Sequence, residues 1–194
     1  MRRGKFVWLP AFLVFSAEAA LAQAQPQVPP ATTIASVVEG QITAIERLVV
    51  DAAEAMPEDR FSFSPETSNI PGSNYKGVRT FGQEVMHIAA SNYILWAPLT
   101  GEKFPPDFLG GNGPLALKTK AEVLKFMRDS FALGHRAAAS VTAQNMLETP
   151  VGARSSRLHI ATFAVAHAYD HYGQMVEYLR MSGIVPPASR GKID

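Results

Sequence analysis

The sequence contains no cysteine. No disulfide framework can brace the fold, and no thiolate is available as nucleophile, metal ligand or lipid anchor, so any metal would need histidine and carboxylate ligands. A surplus of either charge is also missing, with 18 Lys and Arg against 17 Asp and Glu. Without a basic excess or an arginine cluster, counterion release has no source, and nucleic acid is not an expected partner. No apolar run reaches the roughly 20 residues of a membrane span. Internal repeats, low-complexity segments and strand-length alternation are absent too. Apolar residues make up 47% and charged residues 18%. That balance excludes bulk disorder or a fibrous repeat and favours one domain with a core of ordinary size.

What is present begins with Arg2, Arg3 and Lys5, an apolar stretch from Phe6 to Phe15, and small residues ending in Ala20-Leu21-Ala22. A basic start, a short apolar region and an Ala-x-Ala site make residues 1–22 an expected secretory signal peptide of a bacterial protein. Location is then periplasmic or secreted, with no membrane association after cleavage. The Arg2-Arg3 pair leaves both general and twin-arginine export open. Removing residues 1–22 leaves 15 basic against 16 acidic residues, a nearly neutral mature chain. Residues 23–31, with Pro29-Pro30, read as a flexible linker, and the domain is expected over residues 32–187 with a tail at 188–194.

Ile34, Val38, Ile42, Ile45, Val49 and Ala52 recur at three- and four-residue spacing, predicting a first helix that ends before Pro57. A proline-, glycine- and asparagine-bearing connection fills residues 57–76. A second helix is expected from about Val78 to Trp96; it is apolar nearly all round, the mark of burial. Another long connection, residues 98–117, carries Pro105-Pro106 and Gly110-Gly111-Asn112-Gly113 and is a candidate lid. Thr119 with Glu122 forms a capping-box signature for a third helix through Val123, Leu124, Met127, Phe131 and Leu133, expected to end near Thr142. Ser155 or Ser156 opens a fourth helix stopped by Gly183 and Pro186-Pro187. Four helices and two long connections imply an all-α four-helix bundle.

On the fourth helix His167 and His171 stand four residues apart, about 40° apart around the axis and on adjacent turns. Their nitrogens can converge on one ion at about 2.1 Å. The pair alone fits two solvated or hydrogen-bonded helix histidines equally well. His87, midway along the buried second helix, needs a partner for its imidazole. Three histidines on two buried helices of a small bundle fit a metal site between facing helices. Three imidazoles leave a coordination position open for water, the layout of a catalytic site, with zinc or nickel the expected divalent ion. Glu84, one turn before His87, and Asp170, beside His171, are candidate outer acceptors or a fourth ligand, although an ordinary helix-face charge is the simpler reading of each. His135 is read as complementing the dipole at a helix end, and His159 lies about 80° off the His167 face.

The segments Met56-Pro57-Glu58-Asp59-Arg60-Phe61 with Pro65, Val78-Arg79-Thr80-Phe81-Gly82-Gln83 and Val85-Met86-His87-Ile88-Ala89 resemble the DinB-like superfamily. So do His167 through Gln174, Tyr178-Leu179-Arg180, Gly183-Ile184-Val185 and Pro186-Pro187. The resemblance implies a four-helix bundle holding a metal on one histidine of the second helix and two of the last, here His87, His167 and His171. Tyr172 stands where the family pattern commonly has arginine. Despite the shared name, the resemblance is not to the damage-inducible DNA polymerase. It implies either a metal-dependent transferase using low-molecular-weight thiols or a hydrolase. An exported chain works where such thiols are scarce, so the leading expectation is a metal-dependent hydrolase on an unidentified small substrate. A thiol-dependent transferase, a metal-binding module without turnover, and a helical domain whose histidines merely pack remain the alternatives. A homodimer formed through a bundle face is compatible with the sequence.

Overall fold

Each long helix opens on a hydroxyl residue whose side chain accepts a hydrogen bond from a backbone N–H two or three residues into the helix. In the computed structural model, which describes residues 31–104, 108 and 110–191, Thr33 caps α1 (Ile34–Ala55) and Thr80 caps α2 (Phe81–Thr100). Thr119 caps α3 (Lys120–Ala139) and Ser156 caps α4 (Arg157–Met181). The first three are capping boxes, completed by Ser36, Gln83 and Glu122. The expected signal peptide lies outside the described residues, as does the linker except Ala31. The described residues contain these four helices and short 3-10 turns, with no strand, so the chain is an all-α four-helix bundle. None of their helices is long and apolar enough to cross a membrane.

Three helix bounds differ from the sequence expectation. The second helix starts at Phe81 rather than Val78, because Thr80 is its N-cap in extended conformation. It also runs through Pro98 to Thr100. A proline so close to the end removes one of the last hydrogen bonds without disrupting earlier turns, and Gly101 closes the helix at φ 74°, donating to the Ala97 carbonyl. The third helix ends at Ala139, earlier than Thr142: Ser140 turns its hydroxyl back onto the Ala137 carbonyl, and Asn145 takes up Thr142 N–H and the Ser140 carbonyl. α4 ends as its Gly183 suggests. Ile184 N–H reaches the Leu179 carbonyl and Gly183 N–H that of Arg180, a Schellman pair made possible by φ 73° at Gly183.

α1 packs on α3 and α4, and α2 packs on the same two, whereas α1 with α2 and α3 with α4 barely touch. The order around the bundle is therefore α1, α3, α2, α4, and two of the three connections cross a diagonal. Val38, Ile42, Ile45 and Val49 of α1 meet Phe81, Val85, Ile88 and Trp96 of α2, with Met127, Phe131, Met175 and Leu179, in one fully buried core. The connection after α1 is tied down at its far end. Phe61 and Phe63 carbonyls accept from Gly82 and Phe81 N–H, Phe61 stands edge-on to Phe81 at 5.5 Å, and the Tyr178 hydroxyl donates to the Arg79 carbonyl at 3.2 Å. At the carboxyl end the turn Pro187–Ser189 rests against α1.

Candidate metal centre

The order around the bundle sets α2 beside α4, and this brings His87 to His167 and His171. Ring centroids lie 5.1 Å apart for His87 and His167, 4.4 Å for His87 and His171, and 4.5 Å for His167 and His171. One ring nitrogen from each falls within 4.8 Å of the others. Three nitrogens bound at about 2.1 Å to a tetrahedral ion stand about 3.4 Å apart, so small side-chain rotations suffice to close the set.

Each ring is held differently. Nδ1 of His171 lies 2.6 Å from Oε2 of Glu84, a carboxylate only 1% exposed. Nδ1 of His87 faces the carbonyl of Gly111, in the connection after α2. Both partners are acceptors, so both Nδ1 atoms carry the proton and leave Nε2 as the lone-pair nitrogen. Gly111 is required at that place. Its φ is 69°, and a Cβ there would sit 3.2 Å from Cε1 of His87 and 3.5 Å from Oγ of Ser91. Nδ1 of His167 is buried and has no hydrogen-bond partner among the described residues. A buried, unpaired ring nitrogen in a cluster of three imidazoles is what a bound cation would satisfy. Burial, reinforced by the neighbouring histidines, lowers the His167 pKa to about 4; burial and the Arg79 guanidinium also lower that of His87. Neutral rings are the form a metal takes.

Of the two acidic candidates, Glu84 is turned into the bundle and grips His171. Asp170 faces solvent, its side chain 75% exposed and its Oδ2 4.0 Å from Nε2 of His171. A helix repeat of 3.6 residues separates them: Glu84 lies one turn from His87 on the same face, and Asp170 is rotated about 100° from His171. Beside the cluster opens a pocket of about 640 Å³ lined by Arg79, Gln83, Glu84, Asn112 and Gln174 among others. Arg79 and Gly111 carry no spacing signal in the sequence; only the folding back of the connection onto α2 reveals them.

The two remaining histidines stay away from this centre. His159 is exposed and stacks on Phe163 at 5.7 Å. His135, read from sequence as a helix-end residue, instead bridges α3 to α1. Its Nδ1 lies 2.7 Å from Oε1 of Glu39 and its Nε2 2.8 Å from Oε2 of Glu46. Carboxylates only accept, so the doubly protonated imidazolium is the form this geometry suits. Partial burial by itself lowers the pKa, but the two carboxylates outweigh it and raise it above the ordinary 6.5. A raised folded pKa stabilises fully below the unfolded value, and the gain is lost as pH climbs through the folded one. His135→Gln is therefore expected to lower stability by about 1 kcal/mol at pH 6, roughly 2–4 °C in Tm, with the gap closing as pH rises beyond 6.5. Thermal denaturation of both proteins across that range is the check, and a pH-independent gap would overturn it.

A family model described as the DinB superfamily matches residues 41–175, which include all three clustered histidines. No curated protein matches the chain.

Proposed function

The chain belongs to the DinB superfamily, and from that premise we propose that it binds one divalent ion, zinc or nickel, on His87, His167 and His171 and hydrolyses a small substrate there. The convergence of three imidazole nitrogens between two packed helices carries the reading. The chain's own residues prepare that point. Glu84 holds the proton at Nδ1 of His171, and the Gly111 carbonyl does the same for His87, so both rings are fixed in orientation and tautomer. When bound, such an ion supplies Lewis acidity and a lowered pKa for a water at its open position. The adjoining pocket offers room for a substrate beside His171.

The same proposal takes residues 1–22 as a cleaved export signal, supported by the basic start, apolar stretch and Ala-x-Ala site. Elemental analysis and intact mass, measured on protein purified from its native compartment without chelator or nickel resin, test both parts. About one ion per chain and a mass beginning at Gln23 are the expected results. Absence of metal even after added zinc or nickel would refute the metal site, and a mass beginning at Met1 would refute export. Given a loaded protein, a screen of small esters and amides against small thiol acceptors separates the hydrolase from a transferase. Turnover of neither leaves a metal-binding module.

A further inference from the structure

Among the described residues, the pocket beside the histidines holds only two charged side chains, and they are disposed unequally. Glu84 is buried and committed to His171, whereas the Arg79 side chain is 33% exposed. Arg79 stands on a fixed base: its carbonyl accepts the Tyr178 hydroxyl, and the next residue is the N-cap of α2. Its Nε donates to Oδ1 of Asn112 at 3.1 Å, which orients the guanidinium plane. Its Nη1 is 3.9 Å from Oε1 of Glu84, too far for a hydrogen bond. Among the described residues the terminal Nη groups make no hydrogen bond at all, although Arg79 lines a pocket of about 640 Å³.

We propose that Arg79 is an oxyanion-binding residue of this pocket, and that the substrate is a small molecule bearing a carboxylate or phosphate with a short apolar part. A guanidinium whose Nε is pinned and whose Nη donors are unused presents the fork that pairs with planar or tetrahedral oxyanions. Amides of Gln83, Asn112 and Gln174 flank it as further hydrogen-bonding groups, and Met86 and Leu115 supply an apolar wall for the rest of the molecule. The link to the reaction is Gln174 and Glu84, which line the pocket and also lie 3.3 Å and 2.6 Å from Nδ1 of His171. An anion seated on Arg79 therefore places its remaining atoms beside the histidine cluster. This inference rests on the metal-centre reading for what happens to those atoms, but the anion site itself is defined without it.

The test is an NMR titration of the purified chain, with and without zinc, following backbone amides and the Arg79 Nε–H signal. The probes are inorganic phosphate, butanoate and neutral butanamide. Phosphate, butanoate or both are expected to shift Arg79 and Asn112 saturably, the stronger of the two identifying the class of oxyanion, and butanamide to do so far less. In Arg79→Gln the anion affinity should fall about tenfold or more, the loss expected when a charge-assisted bond is removed. Arg79→Lys, which keeps the charge without the fork, should fall between them. Both substitutions retain the backbone carbonyl that Tyr178 uses, and zinc stoichiometry and circular dichroism are read on every sample. Saturable binding that is unchanged in Arg79→Gln, or no saturable shift in the wild type, overturns the anion site. Anion binding that depends on Arg79 in a chain that takes up no zinc upholds the subsite while refuting the metal centre, so the two failures are told apart.

Discussion

Alanine at His87, His167 or His171 is expected to remove stoichiometric zinc from the protein, each substitution alone being sufficient. Each takes away one of the three nitrogens proposed as ligands, which lie within 4.8 Å of one another, and the described residues hold no other such group. Asp170 is no substitute, because its carboxylate faces solvent. Glu84→Gln sets the scale below that loss. Removing an outer acceptor from a ligand histidine weakens metal binding by about 10–100-fold. That drop should appear in a competition titration against a chromogenic chelator, while loss of a ligand itself should leave nothing to titrate. Replacing His171 also strands the buried Glu84 carboxylate, which costs roughly 1–3 kcal/mol. His171→Gln, which retains an N–H toward Glu84, therefore separates lost folding from lost ligation. His135→Ala and His159→Ala should keep the metal, since one ring is engaged by Glu39 and Glu46 and the other stacks on Phe163 at the surface. Zinc retained by all three ligand variants would overturn the assignment.

Gly134→Ala is expected to be among the most damaging single-methyl changes in the bundle. A Cβ at Gly134 would sit 2.4 Å from Cζ3 of Trp96 and 2.7 and 2.8 Å from two further ring atoms. Trp96 has nowhere to go. It is fully buried and packs against Phe131 at a centroid distance of 6.0 Å. Relief requires α2 and α3 to separate, which loosens contacts along both. Overpacking of this kind costs roughly 2–3 kcal/mol even after the better helix propensity of alanine is counted, a fall of about 5–10 °C in Tm. Gly40 is the control. It lies on the exposed face of α1, with nothing within 4 Å of a built Cβ, so Gly40→Ala should stabilise by up to about 1 kcal/mol. Thermal unfolding of the metal-free chain followed at 222 nm measures both. Equal effects at the two glycines would show that the Trp96 contact does not constrain the packing of α2 and α3.

The local grammar of the helices was open to reading from the chain alone. Thr119 and Glu122 make the expected capping box, Gly183 stops α4, and the apolar positions Val38, Ile42, Ile45 and Val49 are all buried. These features depend on residues within a turn or two of one another, where backbone hydrogen bonding and side-chain periodicity act directly. The same locality limits the reading. The start of α2 at Phe81 follows from which threonine finds its N3 partner, and its continuation past Pro98 follows from Gly101 offering a left-handed close.

For the candidate site, the four-residue spacing of His167 and His171 was decided by sequence, because one helix carries both. Their meeting with His87 was not. It depends on α2 lying beside α4 and diagonal to α1, an arrangement set by core packing and by connections long enough to cross the bundle. Only that arrangement turned Glu84 inward while leaving Asp170 in water, brought the Gly111 carbonyl onto His87, and matched His135 to Glu39 and Glu46, residues about ninety positions away in the chain. Which residues can form helices and ligate is a property of covalent chemistry and short-range geometry. Which of them face one another is settled by the burial of apolar surface over the whole chain, and that is a property of the folded bundle alone.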